Sequence, residues 1–137
     1  VVSYAKCCYP IPGDPILGYI SQEKGIVVHR QKCRSINHMK KQSDETIDLS
    51  WDENVDDMFS ASIKVEVDNV RGVLAMISSQ IAQNDSNIES VTYDDTKETG
   101  HNIMVFVITI NDVKGLNKLI RKLKKNPNIL NVERKKS

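Results

Sequence analysis

A chain of 137 residues has room for one domain or two small ones, and its 39% apolar and 27% charged residues suit a soluble globular protein. The most apolar stretch, residues 103–110, is far shorter than a membrane span, which excludes a transmembrane helix. The net charge of +1 hides a division: seven Lys and Arg against two acids over residues 1–41, seven acids and no base over 42–57, and twelve bases against nine acids over 58–137. That order reads as a basic module (1–52), a short acidic linker (53–57) and a near-balanced module (58–137). The basic stretch hints at a nucleic-acid surface. The chain opens at Val1 with no signal-peptide pattern, so it is expected to be a piece of a longer protein.

In the first module, residues 15–20 read as a strand. Ser21 to Gly25 form a turn in which Gly25 is free to take positive φ, and residues 25–29 return as a β-branched second strand. Residues 33–40 have helical character, and 46–51 alternate as a third strand with one buried face. All three cysteines sit here, in Cys7-Cys8 and at Cys33, with His29 between them. Thiols and an imidazole in two short pieces are the raw material of a tetrahedral, structural zinc site, with Cys7, Cys8, His29 and Cys33 as ligands. His29 and Cys33 are four apart and share a face on a helical turn. Neighbouring cysteines on a strand would point to opposite sides, so Cys7 and Cys8 need a turn. Pro10, Pro12 and Gly13 favour one just downstream. If only one of the pair binds, Asp14 or His38 completes the shell. Two other readings stay open. The thiols are small buried hydrophobes, or Cys8 and His29 form a nucleophilic pair, although no orienting group is evident. An odd cysteine count argues against disulfides and for a reducing, cytoplasmic setting. About fifty residues bury little core, and a metal supplies what packing cannot.

The second module has a cleaner pattern. Ala61, Ile63, Val65 and Val67 alternate along a strand, and residues 70–83 form a helix with Val73, Leu74, Ile77 and Ile81 on one face. Strands follow over 87–94 and 102–110, joined by a turn at 96–100. Asp112 caps a second helix with a stripe of Leu116, Leu119, Ile120 and Leu123. Asn126-Pro127-Asn128 ends that helix, and 129–134 is the last strand. The order βαββαβ is the ferredoxin-like arrangement, so the fold class is α+β. Along 103–110 both faces are apolar, yet both helices cover one face only. Met104, Phe106 and Ile108 are therefore candidates for a face that meets a partner or a second copy.

The run Cys7-Cys8-x-Pro-x-Pro-Gly-Asp-x-Ile-x-Gly-Tyr, followed by Gly25-Ile-Val-Val-His29-Arg30 and Cys33, resembles the C-terminal region of RelA/SpoT homologues, the stringent-response enzymes that make and hydrolyse guanosine tetra- and pentaphosphate. It is similar to their conserved-cysteine, zinc-finger-like domain. The βαββαβ module resembles the ACT domain that ends those proteins, most specifically at Asp68-Asn69-Val70-Arg71-Gly72-Val73-Leu74. The resemblance implies a regulatory, non-enzymatic region of a GTP pyrophosphokinase or of the corresponding 3'-pyrophosphohydrolase. In that family the N-terminal domains are catalytic, and the C-terminal half senses stalled ribosomes through ribosomal and transfer RNA and restrains them. Consistent with that, the chain holds neither a phosphate-cradling Gly-rich loop nor a His-Asp metal pair. The resemblance places Cys7, Cys8, His29 and Cys33 on the cysteine motif. It places Gly72 on the ACT loop glycine, where some ACT domains bind an amino acid, with Asp68, Asn69 and Arg71 beside it as effector candidates.

Three functions compete. The leading one is a binding and regulatory module that contacts RNA through His29, Arg30, Lys32, Arg34, Lys40 and Lys41, whose charges would neutralise phosphates. The second is an amino-acid sensor at a dimeric ACT interface. The third is a thiol enzyme using Cys8.

Overall fold

The computed structural model describes residues 2–35, 45–53, 55–68, 72–94 and 102–135. Alternating β-branched stretches build two four-stranded sheets, one in each half. The first contains β1 (Val2–Tyr4), β2 (Ile16–Ser21), β3 (Gly25–Arg30) and β4 (Thr46–Asp48), in the order β1-β3-β2-β4. The expected hairpin is β2–β3, turning through Gly25 at φ 75. Strand β1 was not expected. It has three residues and pairs in parallel with β3, Val2 opposite Ile26, so no local signal marks it.

Strand β4 lacks the buried face that its alternation predicts: all three residues are exposed. It is an edge strand beside Leu17, Gly18 and Tyr19. Ile47 lies over the bare backbone of Gly18, where a Cβ would come within 2.7 Å of the Ile47 and Leu49 side chains. Gly18 thus admits β4, but only as a partial lid. The helical expectation for 33–40 falls mostly outside the described residues, as does the turn at 96–100.

The second sheet contains β5 (Phe59–Val67), β6 (Ile88–Asp94), β7 (Asn102–Ile110) and β8 (Ile129–Arg134), antiparallel and in the order β6-β7-β5-β8. With helices α1 (Val73–Gln83) and α2 (Val113–Lys124) this is the predicted βαββαβ order. Gly72 at φ 83 caps α1. Asp112 caps α2, its side chain accepting from the Gly115 amide at 2.8 Å. Leu116, Leu119 and Leu123 are buried, and Ile120 packs against them. Among the described residues no helix is long and apolar enough to cross a membrane.

The partner-face assignment requires correction. Met104, Phe106 and Ile108 are fully buried, opposite Val65, Ile63 and Ala61 across β5, in the core beneath the helices. The other face of β7 carries Val105 and Val107, half-buried beside Lys64 and Ser62. An apolar run with two apolar faces does not say which face is covered. Strand β5 does, because its apolar residues alternate with Ser62, Lys64 and Glu66, and the register transfers that choice to β7.

The acidic segment does not hold the halves apart. Ile11, from the first half, is fully buried in the core of the second, with Trp51 and Val55 packed against it. Tyr4, Trp51 and Phe59 form an aromatic cluster across the junction, with ring centroids 5.3–5.9 Å apart.

Candidate metal centre

The cysteine pair lies on a tight turn. The Ala5 amide bonds the Val28 carbonyl at 2.9 Å and ties the turn to β3, and the Tyr9 amide reaches back to the Ala5 carbonyl at 3.0 Å. Tyr9 closes the turn at φ 44, in the left-handed region. Cys7 and Cys8 therefore both face His29, which sits near the end of β3. Cys33 arrives on the next turn, its amide bonded to the Arg30 carbonyl at 2.9 Å. The ligand atoms of all four residues lie within 4.8 Å of one another. Cys8, His29 and Cys33 are buried and Cys7 is exposed.

Four of the six ligand-atom distances lie close to the edges of a zinc tetrahedron. Cys7 Sγ lies 3.5 Å from both His29 Nδ1 and Cys33 Sγ and 4.0 Å from Cys8 Sγ, and Cys8 Sγ lies 3.9 Å from His29 Nδ1. Zinc bonds of ~2.3 Å to sulfur and ~2.0 Å to nitrogen give tetrahedron edges of about 3.5–3.8 Å. The Arg30 amide donates to Cys8 Sγ at 3.3 Å, a contact that favours thiolate. Burial nevertheless pushes the metal-free Cys8 thiol up to about 12, with Cys7 and Cys33 adding to the rise against the Arg30 amide. Burial, then Cys33, also raises Cys7. A cysteine nucleophile needs the opposite shift, so the Cys8–His29 pair is not poised for catalysis. A cation entering this cluster would displace the protons of the thiols that bind it.

Asp14 is not a spare ligand. Its carboxylate takes two bonds of 2.7 Å from Arg134 and one of 2.9 Å from the Ile11 amide. Arg30 leans the same way, its Nε 3.8 Å from Asp14, so that guanidinium is partly engaged inside the protein. Lys32 and Arg34 are exposed; His38, Lys40 and Lys41 lie outside the described residues. A denser basic surface escaped the module-by-module charge count. On α2 and the residue after it, Lys114, Lys118, Arg121, Lys122, Lys124 and Lys125 are all exposed, with no acid among them. At the ACT-like loop Gly72 is exposed, and the Asp68 carbonyl accepts from Asn102 Nδ2 at 3.1 Å. Asn69 and Arg71 lie outside the described residues.

Sequence reasoning passed over Arg134, Ile11 and Trp51 as site-supporting residues. A weak signal existed in Asp14, one of only two acids in the first 41 residues.

Residues 1–52 match the RelA/SpoT RIS domain, and residues 56–134 match an ACT domain. The chain belongs to the RelA/SpoT family, as a RIS domain joined to an ACT domain. Over 138 aligned residues it is 33% identical to the bifunctional (p)ppGpp synthase/hydrolase SpoT of Escherichia coli strain K12, covering 100% of this chain and 19% of that protein. It is 32% identical over 132 residues to the GTP pyrophosphokinase of the same strain, covering 95% of this chain and 18% of that protein. The chain thus spans about a fifth of the length of these relatives. The ACT domain of a Chlorobium tepidum GTP pyrophosphokinase covers 58% of the chain and is covered completely, at 24% identity and a TM-score of 0.47.

Proposed function

We propose that this RIS–ACT chain is the non-catalytic regulatory part of a cytoplasmic enzyme that makes or hydrolyses guanosine tetra- and pentaphosphate, and that it couples the state of the ribosome and its transfer RNA to the enzyme's catalytic domains. The observation that carries this reading is the RIS cysteine set, which draws four ligand atoms together in the half of the chain that precedes the ACT domain. Zinc would be held by Cys7, Cys8, His29 and Cys33. Once bound it contributes folding energy, on the order of 10–16 kcal/mol in small peptides. The protein's own part is to fix the two turns and bury three of the four ligands. Lys32 and Arg34 are the RNA-facing residues of the RIS half.

The test uses the full-length enzyme carrying Cys33→Ser. Elemental analysis should show about one zinc in wild type and a loss of zinc in the variant. Alarmone synthesis and hydrolysis without ribosomes should change little, whereas the response to ribosomes loaded with uncharged transfer RNA should be lost. An unchanged ribosomal response would refute the regulatory assignment. An amino-acid-sensing ACT dimer is a second reading, supported by the open space above Gly72, where a Cβ would meet no atom of the described residues within 4 Å, its chain neighbours aside. A panel of amino acids that leaves stability and self-association unchanged would reject it.

A further inference from the structure

The geometry points to Arg134, the last residue of the ACT strand β8, as a positioning residue for the RIS metal site. Through it, metal binding and ACT docking are coupled. This rests on the metal reading above but adds a residue outside the RIS match. One guanidinium serves two acceptors on the segment that follows the cysteine pair. Nη1 and Nη2 each donate to an oxygen of Asp14 at 2.7 Å, and Nη2 also donates to the Tyr9 carbonyl at 2.9 Å. Tyr9 adjoins Cys8 and holds the left-handed conformation that closes the ligand turn. A side chain other than glycine stays there only if its surroundings require it. Here they include an ACT arginine on its carbonyl.

Further bonds fasten the same segment. Trp51 Nε1 donates to the Asp14 carbonyl at 2.9 Å, and the Val113 amide, at the start of α2, donates to the Pro12 carbonyl at 2.9 Å. Gly13 packs so closely on Val113 that a Cβ would come within 3.0 Å of it. The ligand turn is thus anchored to the RIS sheet on one side and to the ACT domain on the other. If ACT docking holds Cys7 and Cys8 in ligating positions, it raises metal affinity. By linkage, bound metal then stabilises docking by the same factor. A guanidinium reaches both Asp14 oxygens and the Tyr9 carbonyl at once, which a lysine ammonium cannot do.

The experiment measures zinc affinity of the 137-residue chain by competition with a chromogenic chelator. Hydrogen exchange at the Val113 amide is followed with and without zinc. Arg134→Ala should weaken zinc binding by about tenfold, within the 5–150-fold range usual for coupled sites, and Arg134→Lys should not restore it. Stripping zinc from wild type should speed exchange at Val113. Val113→Pro is a second variant, in case Arg134→Ala does not fold. It deletes the amide at the first helical position, which tolerates proline, and Asp112 before it is already extended at φ −163 and ψ 178. It should weaken zinc in the same direction. Equal zinc affinity in wild type and both variants, or zinc-independent protection at Val113, overturns the coupling while leaving the metal site standing. Wild type that binds no zinc overturns both.

Discussion

Replacing Ile11 by Ala asks whether the RIS and ACT halves fold as one unit. Ile11 belongs to the RIS half, yet it is fully buried in a core cluster whose other buried members all come from the ACT half. Truncating a buried isoleucine removes apolar contacts and leaves a cavity, which costs about 2–5 kcal/mol. The half-buried Trp51 and Val113 give the site room to relax, so the middle of that range, about 3 kcal/mol, is expected. A chain of 137 residues has an unfolding entropy of roughly 0.29 kcal/mol per degree, so the melting point should fall by about 10 °C. Two probes separate the halves. Trp51 is the only tryptophan and reports the junction through its bond to the Asp14 carbonyl. Far-UV dichroism reports α1 and α2, both in the ACT half. In zinc-loaded protein the two transitions should coincide and move down together. A dichroism transition that stays at its wild-type midpoint while the Trp51 transition falls would show that the ACT half does not depend on the RIS loop.

Other outcomes follow from the same contacts. Gly13 sits at φ 103 against Val113, so Gly13→Ala combines backbone strain with a clash and should destabilise the chain by about 2–4 kcal/mol in denaturant titrations. Gly72→Ala, at φ 83 with open space around it, should cost only the strain, about 1–2 kcal/mol. Metal-free protein should lose stability as pH rises from about 9 toward 12. Burial raises the folded-state Cys8 thiol from 9.0 to about 12, so its contribution is complete below the unfolded value and lost above the folded one. Zinc binding should run the other way, releasing protons and tightening as pH rises from 6 to 8, with calorimetry in buffers of different ionisation enthalpy as the readout. For RNA, Lys32→Ala with Arg34→Ala should flatten the salt dependence by about 0.7–0.9 in log–log slope per lost phosphate contact. Arg30 is left intact because it also faces Asp14. An unchanged slope, with flattening instead in Lys118→Ala/Lys122→Ala, would move the contact to α2.

Much of this was legible where one residue's neighbours in sequence determine its environment. The α2 stripe, its Asp112 cap and the β2–β3 hairpin depend on periodicity and turn chemistry, and they formed as read. The clustering of Cys7, Cys8, His29 and Cys33 was legible because few other patterns gather every cysteine around one histidine. The failures share a cause. Strand β1 exists through a parallel partner 24 positions away, and β4 pairs across Gly18, which is far from it in sequence. Which side of Phe106 is covered depends on register with β5. Arg134 and Asp14 are 120 residues apart, and each alone reads as an ordinary surface charge. Local rules identify the groups that need partners, but not partners that only tertiary structure supplies.

The part-buried Asp14–Arg134 pair bears on how so small a RIS half can be stable. Desolvating two charges is costly, and such a pair often adds little net stability compared with apolar side chains of similar volume. Its value lies in direction. A greasy contact would let the loop slide over the ACT surface, whereas a bidentate fork sets both distance and angle. The same fork reaches the carbonyl of Tyr9, next to Cys8 of the cysteine cluster. An apolar substitution at both positions, Asp14→Leu with Arg134→Met, separates the two roles. Thermal stability should stay near wild type or rise, while zinc affinity falls as in Arg134→Ala. If stability and zinc affinity instead fall in parallel, the pair acts as a structural brace and not as an orienting device.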